Sequence, residues 1–273
     1  MYKLIALDMD GTLLDSHHNI TPPIKKAIQQ ARGKGVTVAL CTGRPLSGVR
    51  DYLKELKMDE KGDFVITYNG ALVVDLHNEK TVSHLTLTGS EIRQLLQLAS
   101  DLGSRSHFFD LKHVYTTNRD ISDYTILDTF IIKSHLFVTS PEEVDPQGTF
   151  TKFMMVDHPE ILDEALSKLP QAFKERYTVI RSAPYFLEFM NKAANKGSGV
   201  KLLAESLGIK QEEVICVGDQ ENDRHMIEYA GLGVAMGNAV PAIKDIACHI
   251  TGTNNEHGVA QVIEKFILGN DCG

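Results

Sequence analysis

The chain has 273 residues, of which 42% are hydrophobic and 23% charged, with a formal net charge of −8. That length leaves room for about two domains, and the composition suits a folded protein with a substantial core. The acidic balance argues against general nucleic-acid binding, which wants a basic face, and no apolar run approaches the ~20 residues of a membrane span. Any phosphate ligand must therefore find locally arranged cations. The N-terminal stretch carries Asp8 inside its apolar run and shows no cleavage-site pattern, which argues against a signal peptide. Cys41, Cys216, Cys248 and Cys272 show no paired spacing, as in a reducing cytoplasm.

Leu4-Ile5-Ala6-Leu7 reads as a short strand buried on both faces, the pattern of a parallel sheet. Asp8-Met9-Asp10-Gly11-Thr12 follows at once. Acids just past the carboxyl end of a central strand stand where open α/β sheets build active sites. A carboxylate attacking phosphorus needs a second carboxyl to manage the leaving group's proton, and a metal to offset repulsion between the anions. Asp8 and Asp10 suit that division. Either acid alone reads more plainly as a turn residue; a calcium loop is excluded, because its glycine falls sixth and its flanks are helical.

Thr21-Pro22 starts a helix with Thr21 as cap, and Val36 to Cys41 is a second buried strand, so the two strands form a parallel βαβ pair. Thr42-Gly43-Arg44-Pro45 lies at that strand's carboxyl end. Thr42 offers a hydroxyl and Gly43 close backbone approach, a phosphate-binding pattern when set beside the acid pair. Asp63 to Thr67 is a third strand, and Asn69-Gly70 signals a hairpin into Ala71–Val74, which makes Asn69 a turn residue. A further strand, Thr81 to His84, leads away.

From Leu85 to Met190 the pattern changes. Helical spacing at Ile92, Leu95, Leu96, Leu98 and Ala99 precedes strand-like runs at 114–115, 137–138, 152–156, 177–180 and 186–189, with a helix at 159–169. The segment contains no motif and reads as an inserted domain. The expected organisation is a core of 1–84 and 191–273 interrupted by 85–190.

Asn195-Lys196-Gly197-Ser198-Gly199 opens the next helix, with a cation at the end where the macrodipole disfavours one. Val214–Val217 is a buried strand, and Gly218-Asp219-Gln220-Glu221-Asn222-Asp223 after it suits a hard cation such as magnesium. Leu232–Met236 is the last core strand and Val259 to Leu268 a closing amphipathic helix.

The four strings together resemble the haloacid dehalogenase superfamily, its Cof-type branch and within that the YidA-type sugar phosphatases. The match runs through Asp8-x-Asp10-Gly11-Thr12, Thr42-Gly43-Arg44, Lys196 and Gly218-Asp219-x-x-Asn222-Asp223 without a departure. The resemblance implies an α/β fold with a Rossmann-like parallel core and a mixed α/β cap inserted in it. It implies a magnesium-dependent phosphatase acting through an aspartyl phosphate on Asp8, with Asp10 as acid and base and Lys196 as the third catalytic group. It further implies substrate contacts from Met9, Thr42, Gly43, Lys196 and Asn222. Magnesium would sit on Asp8, the Asp10 carbonyl and Asp219, with Asp223 bracing its waters. The implied partner is a small phosphorylated metabolite, a sugar phosphate first and pyridoxal or flavin-pathway phosphates next, with no nucleic acid and no membrane. A homodimer is compatible with the sequence. A sugar phosphomutase and a silent phosphate-sensing protein are the alternative readings. Tyr115, Asn118, Arg119, Asp120, Tyr185 and Glu188 are the insert's candidates for substrate contact.

Overall fold

The computed structural model describes residues 1–269; Cys272 lies outside them. The chain forms two compact units, 1–83 with 195–273, and 84–194. The first unit begins with β1 (Leu4–Leu7), α1 (Pro22–Gly33), β2 (Thr37–Cys41), α2 (Arg50–Glu55), β3 (Phe64–Thr67), β4 (Leu72–Asp75) and β5 (Lys80–His84). The insert follows with β6 (Leu87–Thr88), α3 (Gly89–Asp101), β7 (Ser106–Phe109), β8 (Val114–Thr116), α4 (Asp123–Ile131) and β9 (Leu136–Val138). Its second half holds β10 (Thr149–Phe150), β11 (Lys152–Val156), α5 (Pro159–Lys168), α6 (Gln171–Arg176), β12 (Tyr177–Ala183) and β13 (Phe186–Asn191). The chain then returns to the first unit through α7 (Lys196–Ser206), β14 (Val214–Gly218), α8 (Arg224–Tyr229), β15 (Leu232–Ala235), α9 (Pro241–Lys244), β16 (His249–Ile250) and α10 (Gly258–Ile263).

The first unit is built on an eight-stranded sheet ordered β16-β15-β14-β1-β2-β3-β4-β5. Pairing is parallel from β16 to β3, and β4 runs antiparallel to β3. All four residues of β1 are fully buried, as its uninterrupted apolar run requires of a strand covered on both faces. Leu7 pairs with Leu40 on one side and Val217 on the other. Asp8 therefore leaves the sheet level with Cys41 and Gly218, and three chain segments end side by side at one carboxyl edge.

Some local expectations are revised. Thr21 stands at the N-cap of α1 but makes no capping bond; its hydroxyl lies 3.0 Å from His257 Nδ1 instead. The closing helix is α-helical only to Ile263, and Glu264–Leu268 widens into a π turn. The β3–β4 hairpin has Thr67 opposite Leu72, so four residues connect the strands, with Tyr68 and Asn69 at φ +50° and +51°.

The insert carries a six-stranded sheet, β12-β13-β11-β7-β8-β9, antiparallel except for the β8–β9 pair. Phe108, Phe153, Met155, Leu187 and Phe189 pack with Ile92, Leu95, Leu162 and Ala165 in one core cluster. Phe109, Met154 and Val156 belong to a second. Between the apolar residues of β11 and β13 lies a buried ion pair, Lys152 Nζ to Glu188 Oε2 at 3.2 Å, with the Ser182 hydroxyl donating to Glu188 Oε1 at 2.6 Å.

Candidate active site

At the carboxyl edge of the first unit's sheet, residues distant in sequence converge. Lys196 is the first residue of α7, whose N-terminus is closed by a capping box between Asn195 and Ser198. Its side chain is 1% exposed, and Nζ donates to Asp8 Oδ1 at 2.5 Å and Asp223 Oδ1 at 2.6 Å. Burial works to lower the Lys196 ammonium, but Asp223 and Asp8 outweigh it and hold the group charged. Burial and then Asp223 push the Asp8 carboxyl well above its ordinary range, with Lys196 opposing them. Burial also raises Asp219. An ion that cannot be solvated by water must be solvated by neighbours.

Asp219 receives the Thr12 hydroxyl at 2.9 Å and the Gln220 amide at 3.0 Å. Asp223 Oδ2 accepts the N–H groups of Asp219 at 2.8 Å and Gln220 at 3.0 Å, so its carboxylate closes the turn that presents Asp219. Gly11, at φ +81°, lies so close that a Cβ there would stand 2.5 Å from Asp219 Oδ2. Only glycine fits that conformation and that gap.

Thr42 is buried; its N–H donates to the Ile66 carbonyl and its hydroxyl oxygen accepts the Arg44 N–H at 3.1 Å. Met9 is fully buried, so its side chain belongs to the core. Asn222 donates to Asn69 Oδ1 at 3.1 Å, and the same Asn69 amide faces Gly43, where an added Cβ would lie 3.0 Å from Nδ2. The carboxylate of Asp10 does not join the Asp8 cluster through any hydrogen bond. Arg44 holds it from both ends, Nε to Oδ2 at 2.9 Å and Nη2 to Oδ1 at 2.5 Å.

The donor set can be tested against magnesium. Asp8, Asp219 and Asp223 each offer an oxygen within 4.8 Å of the others, all three buried. Three buried carboxyl groups face one ammonium, which leaves acidic charge without a counter-ion. Oxygen ligands and that residual charge fit a hard divalent cation. Asp8, Asp219 and Asp223 are the residues that would hold the ion; Asp8 bonds Lys196 through Oδ1, while both oxygens of Asp219 and of Asp223 also accept hydrogen bonds within the protein.

Four contributors escaped the sequence reading: Thr12, Gln220, Asn69 and the side chain of Arg44. Thr12 carried a signal, a hydroxyl inside the acid motif itself. Asn69 carried a competing one, since Asn-Gly names a turn whatever else it does.

A family model described as haloacid dehalogenase-like hydrolase matches residues 5–263, and the chain belongs to that family. Within it, YxeH of Bacillus subtilis (strain 168), whose name carries a provisional phosphatase assignment, is 46% identical over 268 residues, 98% of this chain and 99% of that one. The 5-amino-6-(5-phospho-D-ribitylamino)uracil phosphatase YcsE of the same organism is 32% identical, covering 97% of this chain and 96% of YcsE. Among solved structures, a haloacid dehalogenase-like hydrolase from Bacteroides thetaiotaomicron superposes with a TM-score of 0.85 at 32% identity, covering 97% of this chain and 99% of that one. A HAD subclass IIB sugar phosphatase superposes at 0.78 and 25% identity, covering 97% and 98%. The chain is a phosphoric monoester hydrolase of this family, with the α/β fold the sequence implies.

Proposed function

We propose that this phosphatase is magnesium-dependent, acts on sugar phosphates and works through an aspartyl phosphate at Asp8. The observation that carries the reading is the buried triangle of Lys196, Asp8 and Asp223 beside Asp219. Asp8 attacks phosphorus in line, and the bond to the leaving oxygen breaks as Asp10 protonates it. Asp10, now a carboxylate, takes a proton from the water that attacks the aspartyl phosphate, and phosphate leaves. The Thr42 hydroxyl and the N–H groups of Gly43 and Met9 bond the phosphoryl oxygens, with Asn222 beside them. Lys196 meets the charge that spreads over those oxygens in the transition state. Asp8, Asp219 and the Asp10 carbonyl would hold magnesium, which when bound would supply positive charge against the phosphoryl group.

Sugar phosphates come first because of the likeness to the subclass IIB sugar phosphatase. The name of YcsE puts a phosphoribitylamino-uracil second. Among the described residues no helix is long and apolar enough to cross a membrane, and the buried thiols of Cys41 and Cys216 suit a reducing cytoplasm. Phosphate release should be scored over some dozens of phosphorylated metabolites with magnesium, manganese, calcium or chelator present. Magnesium should activate, manganese substitute in part and calcium inhibit, because calcium prefers more ligands and longer bonds. Full activity after exhaustive chelation would end the metal-dependent reading.

A further inference from the structure

Arg44 and Asp10 form a two-point contact that nothing in the acid motif requires. The planar guanidinium presents two parallel N–H donors, and each meets one carboxylate oxygen, at 2.9 and 2.5 Å. Such a fork matches a carboxylate in a way a lysine cannot. The arginine is itself held in place. Its N–H donates to the Thr42 hydroxyl, its carbonyl accepts the Tyr68 N–H at 3.2 Å, and its guanidinium carbon lies 5.5 Å from the centre of the Tyr52 ring. Tyr52 comes from α2, and its hydroxyl lies 3.4 Å from the His18 carbonyl. The His18 ring in turn stands 3.7 Å from Asp10. The Asp10 side chain is 47% exposed, so burial alone does little to fix its rotamer. The arginine provides the fixing.

We propose that Arg44 is the positioning residue for proton transfer to the leaving group, an inference that rests on the aspartyl-phosphate reading above. The contact is complementary to the carboxylate that remains once Asp10 has given its proton to the departing oxygen. As the P–O bond breaks, the proton passes from Asp10 to that oxygen and the new carboxylate meets both N–H groups of Arg44. In the second half-reaction the same fork aims the carboxylate at the attacking water, which gives up a proton to Asp10 as the Asp8–phosphorus bond breaks. Arg44 touches neither phosphorus nor leaving group in this account; it acts through Asp10.

The consequence is a dependence on leaving group. An alkoxide cannot depart without its proton, whereas an acidic nitrophenolate can. The measurement is kcat/KM of Arg44→Ala and Arg44→Lys on a hexose phosphate and on 2,4-dinitrophenyl phosphate. This ratio reports only the steps through transfer to Asp8, so the hydrolytic step common to both substrates drops out. General acid catalysis contributes on the order of 10²–10⁴-fold, so the alanine variant should lose roughly a hundredfold on the hexose phosphate. It should lose about threefold or less on the dinitrophenyl ester, with KM little changed on either. The lysine variant keeps the charge without the fork and should recover only part. Added guanidinium should restore part of the alanine variant's loss on the sugar alone. Equal losses on both esters, led by KM, would make Arg44 a phosphate-binding residue and overturn the proposal. Unchanged or faster turnover of the hexose phosphate would overturn it too. Wild-type protein that turns over neither ester would instead refute the hydrolase mechanism on which the proposal rests.

Discussion

At the scale of single residues, the site concentrates negative charge that only function explains. Asp8, Asp219 and Asp223 are buried around one ammonium, and burial with Asp223 drives the Asp8 carboxyl far up. A core built for stability would replace such groups with apolar ones of similar shape. Asp8→Asn keeps the shape and removes one of the three charges. Its turnover should fall by roughly a thousandfold or more, as when one member of a catalytic unit is lost. Without metal, the variant should melt at or above wild type, because a repelling charge has gone. Magnesium should raise the wild-type melting temperature by more than it raises the variant's. Near wild-type turnover in deamidation-free Asp8→Asn protein would rule out the covalent mechanism. A variant that melts well below wild type would show that Asp8 stabilises the fold instead of straining it.

At the scale of elements, legibility followed periodicity. Strands β1, β2, β3 and β14 are unbroken apolar runs that could be read directly, and their carboxyl ends carry the acids and Thr42. Strand β7 was missed because Ser106-His107-Phe108-Phe109 places a histidine and a serine inside a buried strand. His107 is fully buried, yet its ring lies 3.1 Å from the Thr125 hydroxyl and 3.2 Å from Asp128, contacts no local pattern announces. Helix α4 was missed for the matching reason. It buries Thr125 and Thr129 and leaves Phe130 and Ile131 exposed, the reverse of the usual amphipathic order. The insert's ion pairs also set an acid limit. Burial pushes the Asp157 carboxyl up, but Arg105, through its guanidinium and its N–H, and the His158 N–H outweigh it, and the group sits below its ordinary range. A carboxyl lowered in the folded state contributes stability at neutral pH. That contribution is withdrawn as pH falls below the ordinary value of about 3.9 toward the folded one. Arg105→Ala should therefore lower the melting temperature at pH 7 and narrow its gap from wild type as pH falls toward 3. A gap that stays constant with pH would mean Arg105 acts by packing alone.

At the scale of the whole molecule, every motif residue belongs to the unit made of 1–83 and 195–273, and the 84–194 unit carries none. The division assigns chemistry to the first unit; that selectivity resides in the second is a proposal carried by family resemblance. The structure sorts the insert's six candidates. Glu188 is buried and paired with Lys152, and the exposed Ser182 donates its hydroxyl to it, so its carboxylate is already engaged within the insert. Tyr115 donates its hydroxyl to Asp110 at 2.9 Å, and Tyr185 stacks on Tyr124 with ring centres 4.4 Å apart. Asn118 accepts the Ser106 N–H at 2.7 Å, which pins the start of β7, and Asp120 lies 3.4 Å from Arg105. Arg119 is exposed and its side chain makes no hydrogen bond or ion pair among the described residues. A free guanidinium beside ordered neighbours suits hydroxyl or phosphate recognition. Arg119→Ala should thus change the ratio of kcat/KM between two sugar phosphates severalfold, while a small aryl phosphate is hydrolysed much as before. Asn118→Ala should instead lower stability and reduce activity on all substrates alike, because it frees a buried backbone donor. If Arg119→Ala scales every substrate equally, or changes none, the insert reads the sugar through other residues, and Arg119 is a solvated surface charge.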